Sequence, residues 1–329
     1  MNNKKNKYIT IIIIILIFAA AAGIGCYAAF SQKPVITSGG GEGTAASEDT
    51  GYRNVTYNGK EYEYNSELQT LLFLGVDTHG EVTVKDTAGY NGQADCIIVM
   101  IMNTETKETK LLMISRESMV DIAIYTVNGE YYTTEKAQIA LQYAYGDGEN
   151  KSNWLMKNAV SELLDNIPIN ACLSINIDGI PAIVNALGGV ELTIPKDYTA
   201  IDPSFVEGAA VTLDGEKAER YVRYRDTSET GSNIGRMERQ SQFIPALISK
   251  AKAAVDGNED KYSFLLSNAN PYMTTDLDAE GLKSLASYKM DEAIETVPGE
   301  VVLGAEHDEY IVNHDNLQEL IIKLFYNEK

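Results

Sequence analysis

The chain has 329 residues, 44% of them hydrophobic, which excludes a mini-protein and supplies enough apolar material for one large core or two small ones. Asp and Glu number 47 against 27 Lys and Arg, a formal charge of −20. So acidic a chain is excluded as a partner of nucleic acid, and any anion that it binds must meet a local basic cluster.

The first element in chain order is an uncharged, isoleucine-rich stretch from Tyr8 to Phe30, long enough to cross a ~30 Å hydrocarbon layer. Lys4, Lys5 and Lys7 precede it and no acid does, so the positive-inside rule keeps residues 1–7 in the cytoplasm and exports everything beyond. A cleaved signal peptide is the competing reading, but the stretch is longer than a typical signal core and lacks a good small-x-small cleavage site with a polar approach. The expectation is a single-pass protein of the cell membrane whose C-terminal part is extracellular; without the three lysines that part carries −23. Cys26 reads as a small apolar residue of the span rather than a lipidation site.

Residues 31–49 are rich in Gly, Ser, Ala and Thr and bury too little to fold alone, the composition of a flexible linker. A polar, tyrosine-bearing lead-in covers 50–67, and one domain, 68–329, remains. Within it Leu71 to Asp77, Cys96 to Met102 and Leu111 to Ser115 are short, continuously apolar runs that predict buried strands, the last two as a hairpin. Helical spacing follows at Glu135 to Tyr145 and Ser152 to Asn166, where Trp154, Leu155, Val160, Leu163 and Leu164 share one stripe.

Alternation then predicts strands at Cys172 to Ile177 and Val190 to Ile194, around a helix at Ile180 to Leu187 stopped by Gly188 and Gly189. Later come a helix near Glu280 to Tyr288, a strand near Glu295 to Val302, and a closing helix from Asn316 to Phe325. Interleaved strands and helices make the class α/β or α+β. Cys96 and Cys172 sit in apolar runs and form no disulfide framework; buried free thiols are expected, with a single bridge as the alternative.

Three constellations carry chemistry. Asp77 and Asp95 each stand where an apolar strand ends or begins, so neighbouring strand ends bring two carboxylates to one sheet edge. Such a pair suits Mg²⁺, a hard ion that completes its shell with water and phosphate; solvated acids flanking strands are the plainer alternative.

The second constellation is basic: Arg223, Arg225, Arg236, Arg239 and Gln240 fall within 18 residues. If Tyr221 to Arg225 is extended, Arg223 and Arg225 share a face; if Gly235 opens a helix, Arg236, Arg239 and Gln240 do. Guanidinium groups grip phosphate oxygens bidentately, which favours a diphosphate, whereas surface salt bridges would explain the same residues without a ligand. The helical face continues into Phe243, Ile244, Leu247, Ile248 and Ala251, a match for a lipid with a phosphate head, or simply a core-facing stripe. The third constellation, Ser115-Arg116-Glu117, places one arginine at the end of a strand, to hold phosphate or to cap the sheet. His79, His307 and His314 are too scattered for a zinc site.

In order, Leu74-Gly-Val-Asp77, Asp95, Ile114-Ser-Arg116-Glu117, Leu187-Gly-Gly-Val190, Tyr221-Val-Arg223-Tyr-Arg225 and Gly235-Arg236-x-x-Arg239-Gln240 resemble the LytR-CpsA-Psr (LCP) family over residues 68–329. The resemblance implies an LCP-type α/β sandwich, with a central mixed β-sheet flanked by helices and an apolar lipid-binding tunnel, behind one N-terminal transmembrane helix. It implies a transferase that moves a phosphate-linked glycopolymer from a polyprenyl-pyrophosphate carrier to peptidoglycan, with Mg²⁺ as cofactor. Carried over, Asp77 and Asp95 are metal acids, and Arg116, Arg223, Arg225, Arg236, Arg239 and Gln240 bind the pyrophosphate. Asp95, Arg116 and Arg236 are the expected catalytic set, Asp95 assisting deprotonation of the acceptor. The chain departs from the family pattern at Gln93, where arginine is usual, at Ser115 and Glu117, where proline and aspartate are usual, and at Asn233, where an acid is usual. Gln93 and Asn233 favour the alternative reading, a catalytically weak polyprenyl-phosphate-binding or regulatory envelope protein.

Overall fold

The computed structural model describes residues 53–329, apart from 86, 227, 256–257, 279–280, 282–283, 285–287 and 306. The expected cytoplasmic tail (1–7), span (8–30) and linker (31–49) lie outside the described residues. Among the described residues no helix is long and apolar enough to cross a membrane.

Along the chain, a hairpin of β1 (Asn54–Tyr57) and β2 (Lys60–Tyr64) leads into β3 (Leu68–Val76), β4 (Ala94–Asn103) and β5 (Glu108–Ile114). A ribbon of β6 (Met119–Tyr125) and β7 (Tyr131–Gln138), a 3-10 segment (Ile139–Tyr145) and α1 (Asn150–Leu163) come next. Then follow β8 (Ala171–Asn176), α2 (Gly179–Leu187), β9 (Val190–Thr193), β10 (Ala210–Leu213), α3 (Gly215–Arg223), the long α4 (Ser232–Val255) and α5 (Glu259–Ala269). The chain closes through β11 (Met273–Thr275), β12 (Lys289–Thr296), β13 (Gly299–Leu303), β14 (Asp308–Val312), α6 (His314–Phe325) and β15 (Tyr326–Glu328).

Six strands form the central sheet in the order β11-β8-β3-β4-β5-β12. The β3–β8 and β5–β12 pairs are parallel and the other neighbours antiparallel, so the sheet is mixed, as expected. The continuously apolar sequences of β3, β4 and β5 follow from this position, because both sheet faces are covered and every residue of those runs meets protein. Leu71, Ile98, Met100 and Leu173 face α2, α4 and α5. Leu72, Leu74, Ile97 and Val99 face α1 and α6 on the other side. A third cluster, with Phe205 and Tyr221 at its centre, joins α2, α3 and α4 to the β9–β10 ribbon.

Local signals set the helix ends. The Asp214 carboxylate accepts the Lys217 amide at 2.8 Å and caps α3, and Asn313 does the same for α6. Gly188 closes α2 at φ +77°, a left-handed conformation that favours glycine.

Several sequence expectations are corrected. Glu135 to Gln138 continues strand β7, and only the 3-10 segment after it is helical, because the ribbon pairs Met119 with Gln138. Trp154, placed on the inner stripe of α1, is 45% exposed; Leu155, Met156, Ala159 and Val160 fill that face instead. Tyr221 to Arg223 is the last turn of α3, not an extended segment. The strand expected near Glu295 to Val302 is divided between β12 and β13. Within the polar lead-in, β2 pairs with the C-terminal β15. The helix near Glu280 to Tyr288 falls largely outside the described residues. Cys96 and Cys172 are buried free thiols, as expected.

Leu72, fully buried in β3, tests which face packs against α1 and α6. Leu72→Ala is expected to lower the unfolding free energy by about 3 kcal/mol in urea titrations; a change under about 0.5 kcal/mol would contradict the packing.

Candidate functional site

The site starts from a register irregularity. Gly75 pairs with Cys96 but Val76 pairs with Ala94, so Asp95 is an extra residue in β4, a bulge of the kind that re-aims a side chain beside functional sites. On its other edge β4 pairs Ile97 with Ile114, and continuing that antiparallel register sets Asp95 level with Arg116. Their side chains meet: Arg116 Nη1 lies 2.7 Å from Asp95 Oδ1.

Helix α4 supplies the second cation. Arg236 Nη1 donates to Asp95 Oδ2 at 2.8 Å, and Nη2 donates to Asn233 Oδ1, one turn earlier, at 2.7 Å. The Asn233 amide donates in turn to Ser115 Oγ at 3.1 Å. Arg225, beyond α3, is the third: its Nη2 lies 2.9 Å from Glu117 Oε1 and its Nε donates to Ser232 Oγ at 3.3 Å. Arg116 also donates to Gln93 Oε1, while the Gln93 backbone N–H donates to Asp77 Oδ1 at 2.6 Å. Asp77 is thus tied to the cluster through Gln93. A Cβ at Gly92, φ +81°, would overlap Thr78 Oγ1 and lie 2.9 Å from Asp77 Oδ1, so glycine permits this close loop.

Three guanidinium groups therefore face two carboxylates, Asp95 and Glu117, in a largely buried place. Arg236 is 2% exposed, and burial pulls its guanidinium below the usual range, with Asp95 opposing that pull. The polar groups do not satisfy one another. Among the described residues, buried Arg116 Nε, Arg236 Nε, Asp95 Oδ1 and Glu117 Oε2 have no hydrogen-bond partner; Arg116 approaches Asp95 Oδ1 as an ion pair without hydrogen-bond alignment. Unmatched buried donors of this kind call for an anionic acceptor.

An apolar cavity of about 90 Å³ abuts the cluster between the sheet and α2, α3 and α4. Phe73, Gly75, Cys96 and Ile98 form its floor, Ile180 and Ile183 one wall, and Phe243, Ile244 and Leu247 of α4 another. Gln240 is its one amide side chain, a turn beyond Arg236, and Cys96 follows Asp95 directly. Burial pushes the Cys96 thiol up to about 12, so this wall is uncharged. The cavity and the cluster can take an apolar chain and its anionic head together.

Of the expected site residues, Asp95, Arg116, Arg225 and Arg236 converge, with Asp77 one link away. Arg223 does not join them: it ends α3, is largely exposed and pairs with Glu219 at 3.0 Å. Arg239 Nε donates to the Tyr221 carbonyl at 2.7 Å, and Nη2 to that of Tyr224. Gln240 Nε2 donates to the Val222 carbonyl at 3.2 Å. Glu117 and Ser115 are partners that sequence spacing did not reveal. As for Mg²⁺, among the described residues no three potential metal-ligating side chains cluster. Asp77 and Asp95, with a buried Asp95 oxygen lacking an aligned donor, fit an ion whose remaining ligands are water and phosphate.

A mixed-sheet sandwich with buried guanidinium groups at the end of an apolar cavity defines a protein suited to amphiphiles with anionic heads. The chain belongs to the LytR_cpsA_psr family, whose model matches residues 37–325. It is 31% identical over 222 residues to the polyisoprenyl-teichoic acid–peptidoglycan teichoic acid transferase TagU of Enterococcus faecalis, covering 68% of this chain and 66% of that protein. It is 28% identical to TagV of Bacillus subtilis, covering 56% and 44%, and 26% identical to the biofilm regulatory protein A of Streptococcus mutans, covering 74% and 61%. The matches thus span about two thirds or less of these relatives' lengths. The fold matches the crystal structure of B. subtilis TagV with a TM-score of 0.58 at 22% identity, over 79% of this chain and 96% of that one. It matches a structure of TagT bound to LIIa-WTA with a TM-score of 0.55 at 24% identity, over 79% and 90%.

Burial pushes the Glu117 carboxyl above its ordinary 4.5, against the pull of Arg225 and Arg116. The folded chain then holds this proton more tightly than the unfolded one, so the contribution of Glu117 to stability is greatest in acid and declines as the pH rises through its folded value. The unfolding free energy of the unsubstituted chain, relative to Glu117→Gln, should fall as the pH is raised above about 4.5 in urea titrations. A pH-independent difference would contradict this assignment.

Proposed function

We propose that the chain is a transferase that moves a phosphate-linked glycopolymer from a polyprenyl-diphosphate carrier to peptidoglycan. One observation carries this reading: the buried, donor-unsatisfied cluster of Arg116 and Arg236 stands at the end of an apolar cavity. A diphosphate head answers the first, a polyprenyl chain the second, and relatives named as polyisoprenyl-teichoic acid transferases support the combination. An anchor at residues 8–30 would keep the domain at the outer membrane surface, where such a carrier presents its head.

In the reaction, a sugar hydroxyl of peptidoglycan attacks the phosphorus that bears the glycopolymer. The bond from that phosphorus to the bridging oxygen breaks, and polyprenyl phosphate leaves with the electron pair. Arg116 and Arg236 offer donors to the oxygens on which charge gathers, in a site with little water to screen them. Arg225, steered by Glu117, contacts the other phosphate. Both Asp95 oxygens face guanidinium groups, so the acceptor's proton passes to Asp77, which keeps one oxygen outside its bond to the Gln93 backbone N–H. Asp77 and Asp95 would hold Mg²⁺ through the lone pairs that the Gln93 backbone N–H and the guanidinium groups leave open, and the ion would supply further neutralisation of the diphosphate.

A second reading, a weakly catalytic lipid-phosphate binder, draws on Asn233, a fully buried neutral amide with both ends bonded where the family carries an acid. One experiment separates the two. The full-length chain in vesicles is given a labelled polyprenyl-diphosphate-linked glycan, Mg²⁺ and peptidoglycan fragments, and both lipid binding and transfer are followed. Transfer is expected, and Arg236→Ala should slow it by about 10²-fold or more. Binding without transfer would favour the second reading; no binding would overturn both. Removing divalent cations with EDTA should slow transfer by at least about tenfold, and undiminished transfer would exclude the metal.

A further inference from the structure

Arg239 and Gln240 belong to the expected phosphate-binding set, yet their donors are directed elsewhere. The last turn of a helix leaves carbonyls without partners inside the helix. At the end of α3 those of Tyr221 and Tyr224 accept from Arg239, and that of Val222 accepts from Gln240. Arg239 is 5% exposed, and its guanidinium lies 5.4 Å from the centre of the Tyr198 ring and 5.9 Å from that of Tyr224. Nearby, Gln242 accepts the Tyr221 hydroxyl and donates to the Thr193 carbonyl at 2.7 Å. Four polar contacts thus fasten the end of α3 to α4, and the residue that follows Tyr224 is Arg225.

We infer that Arg239, aided by Gln240, is a positioning residue: it caps the carbonyl end of α3 and so sets Arg225 in the arginine cluster beside Glu117, without touching the head group. This rests on the reading of that cluster as a diphosphate site. Arg239 commits two of its five N–H donors to carbonyls and lies buried against the Tyr198 and Tyr224 rings, so a phosphate could reach it only by breaking that packing. Arg225, by contrast, is partly exposed and held from both sides, by the α3 end and by Glu117. Removing the cap frees the Tyr221, Val222 and Tyr224 carbonyls together, and the segment carrying Arg225 loses its fixed exit from the helix.

The test is a double-substitution cycle on the full-length chain in detergent, with geranylgeranyl diphosphate as the probe and calorimetry at several salt concentrations. Arg225→Ala and Arg239→Ala should each weaken binding about tenfold, and the doubly substituted chain should be no more than about threefold weaker than either, because the two act as one unit. Each single substitution should also reduce the salt dependence of binding equally, and the pair no further; a residue acting on overall stability alone would leave that slope unchanged. Thermal unfolding is followed in parallel. If Arg239→Ala does not fold, Gln240→Leu, which removes one cap bond and keeps the apolar wall, should weaken binding about threefold, again without adding to Arg225→Ala. Losses that multiply would make Arg239 a separate head-group ligand and overturn the inference alone, as would unchanged binding in Arg239→Ala. Failure of the unsubstituted chain to bind the probe would overturn the site reading and this inference together.

Discussion

Asp95 is the point on which the site depends. Arg116 and Arg236 reach it from a strand and from a helix, and two largely buried guanidinium groups side by side would repel each other strongly without a carboxylate between them. The carboxylate reaches both because β4 carries an extra residue at this place. Remove the bulge, and the alternation of β4 would change the face on which Asp95 lies. Glu117 repeats the arrangement for Arg225, so each cation is held while some of its donors stay unspent.

That economy of contacts gives the site its direction. The orphaned Nε groups of Arg116 and Arg236 are buried beside an apolar cavity, so an anion arrives there most favourably with its own apolar tail. The rest of the chain is strongly acidic, which leaves this cluster as a local exception in an otherwise anion-repelling molecule. The fold serves the same end, since one face of the mixed sheet is packed tightly against α1 and α6 while the other leaves room under α2 and α4.

Much of this was legible in the sequence where composition is forced by burial. Leu71 to Val76, Cys96 to Met102 and Leu111 to Ile114 are apolar at every position because the central strands are covered on both sides, and the stripe of Phe243, Ile244 and Leu247 beyond Arg236 does line the cavity. What stayed hidden depends on tertiary geometry. The bulge at Asp95 has no local signature, and Glu117 finds Arg225 across 108 positions of sequence. Arg223 and Arg225 would share a face only if Tyr221 to Arg225 were extended, but the α3 cap at Asp214 and the α4 clamp on its far end hold it helical through Arg223. Asn233 and Gln93 read as lost charges; in the folded chain each amide oxygen accepts from an arginine of the cluster, so the neutral side chains still orient the cations.

A crystal structure of the complex with geranylgeranyl diphosphate tests the site most directly. Phosphate oxygens should lie about 3 Å from the Arg116 and Arg236 guanidinium groups, with the isoprenoid chain between Phe73 and Phe243. A diphosphate bound away from Asp95 and its two arginines, or a chain lying outside the cavity, would contradict this placement.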